Sequence, residues 1–243
     1  MAAPILIFGA TGGIGEALAR RLAAARQPLF LTGRRADAVA ALADELGAGY
    51  AVCDVMEPGS IQAAVAEASA GGDGLAGLAY CVGSIVIKPL KQATAEDYVE
   101  HVRLNAVGAA LAVQAAQSAL AEAQGSVVLF STVAVNQGFP NHSVISMAKG
   151  AVQGLAVSLA AELAPAVRVN AIAPSLTRTT IGAPIVSTER MEKTIAGLHA
   201  IPRIGEPEDQ AALAAFLLGP ESGWITGQVI GVDGGRSTLR TRG

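Results

Sequence analysis

Short runs of apolar residues alternate along this chain with longer stretches whose apolar positions recur at helical spacing. Ile5–Phe8 is a four-residue apolar run that ends at a glycine, and residues 15–25 follow it with Leu18 and Leu22 one turn apart. The same alternation predicts strands at 29–32, 50–52, 77–82, 126–131, 167–172 and Val229–Val232. Helices are predicted at Ala36–Leu46, 60–70, about Ser143–Leu163 and Pro207–Leu218. Thr94, with Asp97 three residues on, marks the capped start of a long helix through Val99, Val102 and Leu111. Strands this continuously apolar are buried on both faces. The pattern therefore predicts an α/β fold: one domain over residues 1–243, a doubly wound parallel sheet of Rossmann type with helices on both faces.

Composition narrows the field. At 243 residues the chain suits one larger α/β domain, and nothing in it forces a second. Net charge is −3, which offers no basic field for nucleic acid and no polybasic patch for a membrane surface. Small molecules or other protein chains are the expected partners. Cys53 and Cys81 are too few for a metal or disulfide framework and read as small buried residues at strand ends. Residues 1–8 lack the cationic region of a signal peptide and read as a strand. No uninterrupted apolar run of membrane-spanning length occurs, so the expectation is a soluble cytoplasmic protein without a membrane partner.

The first candidate chemistry is the segment Gly9-Ala10-Thr11-Gly12-Gly13-Ile14-Gly15, which follows the first strand and opens the first helix. Gly9 permits a tight turn, Gly13 lets the backbone approach a pyrophosphate, and Gly15 lets helix and strand pack closely. The free N–H groups at the helix start face the phosphate charge. Dinucleotide folds commonly place a carboxylate about twenty residues later, for the ribose hydroxyls. Here the chain reads Thr32-Gly33-Arg34-Arg35. A carboxylate repels a 2′-phosphate, whereas a guanidinium forks onto it, so the expected cofactor is NADP(H), with NAD(H) the alternative. On the bland alternative Arg34 and Arg35 are solvated loop charges. Asp54, just past the third strand, is placed to accept from the adenine amine; the competing role, capping the helix near Ser60, is disfavoured by its distance from Ser60.

These residues resemble the short-chain dehydrogenase/reductase family. Beyond the glycine turn the resemblance is carried by Asp54-Val55, by Tyr80-Cys81-Val82-Gly83 in place of Asn-Asn-Ala-Gly, and by Asn105. It continues through Ser131-Thr132, Lys149, residues 169–174, Ile225-Thr226-Gly227-Gln228 and Asp233-Gly234-Gly235. The resemblance implies a tetrad: a serine that polarises the substrate carbonyl, a tyrosine that protonates it, a lysine that holds the nicotinamide ribose, and an asparagine that supports a water relay. Asn105 and Lys149 match. Thr132 takes the serine position if that position stands thirteen residues before the tyrosine, with Ser131 the fallback. At the tyrosine position, four residues before Lys149, the chain has Ile145. A hydrocarbon can neither give nor take a proton.

The resemblance further implies that Pro174, Thr177 and Thr179 belong to a loop that meets the nicotinamide, with Ser175 where the family has glycine. It implies a substrate lid over about 176–204, and pairing of the two Ala-rich helices into homodimers or homotetramers. Residues 237–243 are expected to form a flexible tail. The lid carries Ile185, Met191, Ile195, Leu198 and Ile201, which suit an apolar ligand or ordinary core packing equally. Tyr98 reads as a core aromatic. His142, three residues before Ile145, is the candidate replacement acid, histidine being the side chain that most readily changes charge near neutral pH; its alternative is a solvated loop residue. Two functions stay open. One is an oxidoreductase acting on an alcohol or carbonyl by an altered proton path; the other is an inactive dinucleotide-binding sensor or partner subunit.

Overall fold

The computed structural model describes residues 3–240. Seven parallel strands form one sheet, β1 (Ile5–Phe8), β2 (Leu29–Gly33), β3 (Gly49–Val52), β4 (Gly77–Tyr80), β5 (Ser126–Phe130), β6 (Arg168–Pro174) and β7 (Val229–Val232). Their order is β3-β2-β1-β4-β5-β6-β7. The chain winds outward from β1 in one direction and, after crossing to β4, in the other. A crevice therefore opens at the carboxyl ends of β1 and β4, where ligands bind in sheets of this kind.

Alternation along β1 divides the core into two layers. Leu6 and Phe8 pack with α3 (Pro58–Ala68), α5 (Gly108–Glu122) and α7 (Ser143–Leu163). Ile5 and Ile7 face α1 (Gly13–Ala24), α2 (Ala36–Leu46) and α9 (Pro207–Leu218), while the short α6 (Ala134–Gln137) and α8 (Glu189–Ala196) contribute to neither layer. All four side chains are buried, as a strand covered on both faces requires. α4 (Ala95–Val102) begins with the expected capping box: Asp97 N–H donates to Thr94 Oγ1 at 3.3 Å, and Thr94 N–H donates to Asp97 Oδ2 at 2.8 Å.

The long helix expected after Thr94 is interrupted. Residues Arg103–Val107 form a π-helical turn between α4 and α5. Widened turns of this kind leave carbonyls without their usual helical partner and often occur at functional sites. Tyr80 at the end of β4 donates its hydroxyl to Leu104 O at 2.8 Å, and Gly108 leaves room for that ring, since a Cβ there would stand 2.3 Å from Tyr80 Oη. Nothing in the helical periodicity signals this turn.

Two features bear on the expectations for length and order. Ala95–Glu122 and Ser143–Leu163 are long and apolar enough to cross a membrane, by length and composition. Here each lays one face on the sheet, through Ala109 and Val113 and through Val152 and Ala156, and these four residues are core. Residues 237–239, expected to be a loose tail, are held: Ser237 N–H donates to Asp233 Oδ2 at 2.8 Å and Leu239 N–H to Gly235 O at 3.0 Å. Residues 241–243 of that expected tail lie outside the described residues.

Candidate active site

The glycine turn is built as its sequence requires. Gly9 has φ +75°, a conformation that side chains disfavour, and a Cβ on Gly15 would stand 2.3 Å from Gly9 O. Any larger residue at position 15 would push α1 off the end of β1. The helix opens at Gly12 without a side-chain cap, so the first N–H groups of α1 remain directed at the crevice. Gly33, at the end of β2, touches this turn, its Cβ position lying 3.1 Å from Thr11 Oγ1. Arg34 and Arg35 follow directly, both exposed and neither in an ion pair among the described residues.

A cavity of about 390 Å³ runs from this turn over the carboxyl ends of the strands. Gly12, Gly13 and Ile14 form one end of it. Gly83, Thr132, His142, Ile145, Lys149, Pro174, Thr177 and Thr179 all line it, so the cavity unites three of the four expected catalytic residues, all but Asn105, with the nicotinamide half of the expected cofactor contacts. Gly9, Thr11, Gly15, Arg34, Arg35, Asp54 and Val55 lie off this cavity, towards the β2 and β3 side. Val55 buries its side chain in the core.

Asn105 sits in the π-helical turn just behind Gly83. Its amide donates to His101 O at 2.9 Å and to Ser84 Oγ at 3.3 Å, while its Oδ1 is buried without a partner among the described residues. A Cβ on Gly83 would meet that Oδ1 at 2.9 Å and Lys149 Nζ at 3.1 Å, so a bare backbone separates the orphan acceptor from the ammonium. Lys149 donates to Phe130 O at 2.8 Å. Burial lowers its pKa to about 8, opposed by the Cys81 thiol, which burial in turn pushes up to about 12. The glycine cradle, the orphan amide oxygen and the buried ammonium together fit a nicotinamide dinucleotide, whose ribose hydroxyls and bound water supply the missing polar partners.

The two hydroxyl candidates separate cleanly. Ser131 is occupied, donating to Lys149 O at 3.0 Å and accepting from Gln153 Nε2 at 3.0 Å. Thr132 makes only long bonds, accepting from Ala134 N–H at 3.3 Å and donating to Pro174 O at 3.4 Å. Thr132 is the hydroxyl free to turn towards a ligand. Ile145, one helical turn before Lys149, is buried at the cavity wall. His142 rests its ring against Phe139, centroids 5.3 Å apart, and its Nδ1 stands 2.7 Å from Pro140 O. Because a carbonyl only accepts, Nδ1 carries the proton and Nε2 is the atom left for chemistry.

Two sequence expectations change here, for Tyr98 and Cys81, while that for Asp54 as a cap does not. Asp54 does not cap α3, whose N-cap is Glu57, although the turn brings its N–H to Ser60 Oγ at 3.1 Å. The Asp54 carboxylate also accepts from Met56 N–H at 2.9 Å. Tyr98 is half-buried rather than core, its hydroxyl 2.9 Å from Ser143 Oγ, which ties α4 to the start of α7. Cys81 is not simply packed away but reaches the cavity beside Lys149. Of the lid side chains, Ile185, Ile195 and Leu198 line the cavity, while Met191 and Ile201 are exposed.

Two features had no sequence signal. His199, in the lid, is buried; its Nδ1 lies 2.9 Å from Ile195 O and its Nε2 2.8 Å from Ser175 Oγ. The serine that replaces glycine thus pins the lid to the Pro174 loop. Arg236 reaches the cavity from the carboxyl-terminal turn.

The sequence matches the family model described as enoyl-(acyl carrier protein) reductase over residues 9–237. A chloroplastic tropinone reductase homologue of Arabidopsis thaliana is 32% identical over 240 residues, covering 96% of this chain and 74% of its own. A short-chain type dehydrogenase/reductase from Mycobacterium ulcerans is 31% identical at a TM-score of 0.91, with 99% of this chain and 92% of that one covered. The actinorhodin polyketide ketoreductase, solved with NADPH, is 26% identical at a TM-score of 0.91, with 98% and 100% covered. Fold, switch-point crevice and these likenesses agree, and the chain belongs to the short-chain dehydrogenase/reductase family of oxidoreductases.

Proposed function

We propose that this protein is an NADP(H)-dependent oxidoreductase that transfers hydride between the nicotinamide and an alcohol or carbonyl substrate, with His142 handling the proton that Ile145 cannot. The observation that carries this reading is the shared wall: His142, Thr132, Ile145 and Lys149 line one cavity that also contains Gly12, Gly13 and Ile14. The nucleotide, when bound, supplies or accepts the hydride. Gly9, Thr11, Gly13, Ile14 and Gly15 would hold its pyrophosphate, Arg34 and Arg35 its 2′-phosphate, and Asp54 and Val55 its adenine end. Gly83, Lys149, Pro174, Thr177 and Thr179 would hold the nicotinamide ribose and ring.

Thr132 Oγ1 donates a hydrogen bond to the substrate oxygen and draws charge onto it. In reduction, Nε2–H of the His142 imidazolium gives that oxygen its proton; in oxidation, neutral Nε2 takes the proton from the alcohol. Asn105 Oδ1 and Lys149 hold a water between them that reconnects the site to solvent. The fork geometry of two unpaired arginines after β2 supports NADP(H) over NAD(H). Small-molecule substrates fit a cavity of this size.

Burial of a hydrocarbon at Ile145 favours a second reading, a dinucleotide-binding sensor or inactive partner subunit. Titration with NADPH and NADH, then a panel of aldehydes and ketones, separates the two. Trp224 is fully exposed, so the titration follows the fluorescence of the nucleotide itself. The expected result is tighter binding of NADPH than NADH, a preference lost in Arg34→Ala/Arg35→Ala, and NADPH oxidation with some member of the panel. Binding without any turnover supports the sensor; no binding removes both readings.

A further inference from the structure

Most arginines held in place in this fold face a carboxylate or a ring of carbonyls. Arg20 pairs with Glu16 and Glu45, Arg178 with Glu192 and Glu206, and Arg203 with Asp209, while Arg168 sits among the carbonyls of Leu217, Gly219 and Ser222. Arg236 differs. It is half-buried at the wall of the main cavity, and its guanidinium carbon stands 5.1 Å from the Phe139 ring centroid. One N–H of Nη1 donates to Leu198 O at 3.2 Å; among the described residues Nε and Nη2 have no partner. The turn that carries it is fixed independently, by Asp233 accepting from Gly235 N–H at 2.9 Å and from Ser237 N–H at 2.8 Å, so the arginine is not needed to hold its own backbone.

No Asp or Glu lines this cavity among the described residues. Phe139 and Leu198 stand beside Arg236, and Ile185 and Ile195 line the same cavity. Burial lowers the pKa of the guanidinium, so the cation loses hydration that no protein carboxylate restores. A guanidinium with its Nε–Nη2 edge free presents the two-pronged donor that a planar carboxylate matches. The contact over the Phe139 ring and the bond to Leu198 O hold the guanidinium at the wall.

We propose that Arg236 is the anchor for a carboxylate on the substrate, so that the site takes apolar oxo acids or the corresponding hydroxy acids. The redox part of this assignment rests on the oxidoreductase reading above; the carboxylate part does not. Leu198 and Phe139 flank the anchor, Thr132 and Lys149 lie on the same wall, and the aliphatic lid side chains cover the body of the ligand.

Calorimetry of the full chain with phenylacetate, 4-phenylbutyrate and 5-phenylpentanoate, each against its uncharged amide, tests the anchor without and with NADP⁺. Wild type should bind at least one carboxylate tenfold or more tighter than its amide, with or without nucleotide. Arg236→Gln should erase that preference, and Arg236→Lys, which keeps charge but not the fork, should retain part of it at an unchanged melting temperature. NADPH affinity should stay within twofold in both variants. The proposal is overturned if no carboxylate outbinds its amide, if the preference survives Arg236→Gln, or if Arg236→Gln weakens NADPH binding instead, which would make the guanidinium a nucleotide contact. Failure of NADPH to bind wild type would remove the oxidoreductase reading while leaving the carboxylate arm readable.

Discussion

Burial sets the charge state of Lys149, whose pKa falls to about 8 against the Cys81 thiol beside it. The unfolded chain binds this proton more tightly than the folded one. The cost is therefore full below about pH 8 and disappears as pH rises from about 8 towards the ordinary lysine value of 10.5. We expect wild type to gain stability across that window, on the order of 3 kcal/mol at most, and Lys149→Met to show no such rise in urea titrations at stepped pH. An equal rise in the variant would contradict a depressed lysine. Gly9, Gly15, Asn105 and Lys149 were legible in the sequence because each answers a local demand, a turn, a close approach or a motif spacing. His199 and Arg236 were not, because each meets its partners only across the fold, at Ser175 and at Phe139. Removing the first of these links, in His199→Ala, should raise KM for substrate more than it lowers kcat, since it frees the lid rather than the proton path; a kcat loss at constant KM would instead assign His199 to the chemistry.

At the scale of elements, the π-helical turn Arg103–Val107 and the end of β4 form one unit. Tyr80→Phe removes the hydroxyl that Leu104 O accepts from and should cost about 0.5–1.5 kcal/mol. Gly108→Ala drives a methyl to within 2.3 Å of Tyr80 Oη, a clash of about 1–3 kcal/mol that outweighs the gain in helix propensity of about 1 kcal/mol. The double variant removes the atom that the methyl strikes, so its destabilisation in urea should fall clearly short of the two single losses added together. Simple additivity would mean that the hydroxyl does not set the turn. Helical periodicity through Val99, Val102 and Leu111 reads as one continuous helix because the extra residue of a π turn leaves no mark on composition. The strands were legible to within about two residues because they are short, apolar and bounded by glycine or proline.

Over the whole molecule, the doubly wound topology follows from strand–helix alternation, and it brings β1 and β4 together at the crevice. What alternation cannot convey is which helix faces remain uncovered. Val99 on α4, Val107 beside it, and Met147 and Val157 on α7 stay exposed. We read this apolar face as the surface through which copies pair into a homodimer or homotetramer. Sedimentation should find an oligomer, and Met147→Glu/Val157→Glu should shift it towards monomer; a monomeric wild type would refute the pairing. NADPH oxidation, measured side by side for wild type, His142→Ala and Ile145→Tyr against one panel of aldehydes, ketones and oxo acids, decides whether His142 replaces the missing acid. The prediction is turnover by wild type and a loss of about 10²–10⁴ in His142→Ala at unchanged NADPH affinity. An inert wild type beside an active Ile145→Tyr would contradict it, leaving a protein that grips the nucleotide without using it.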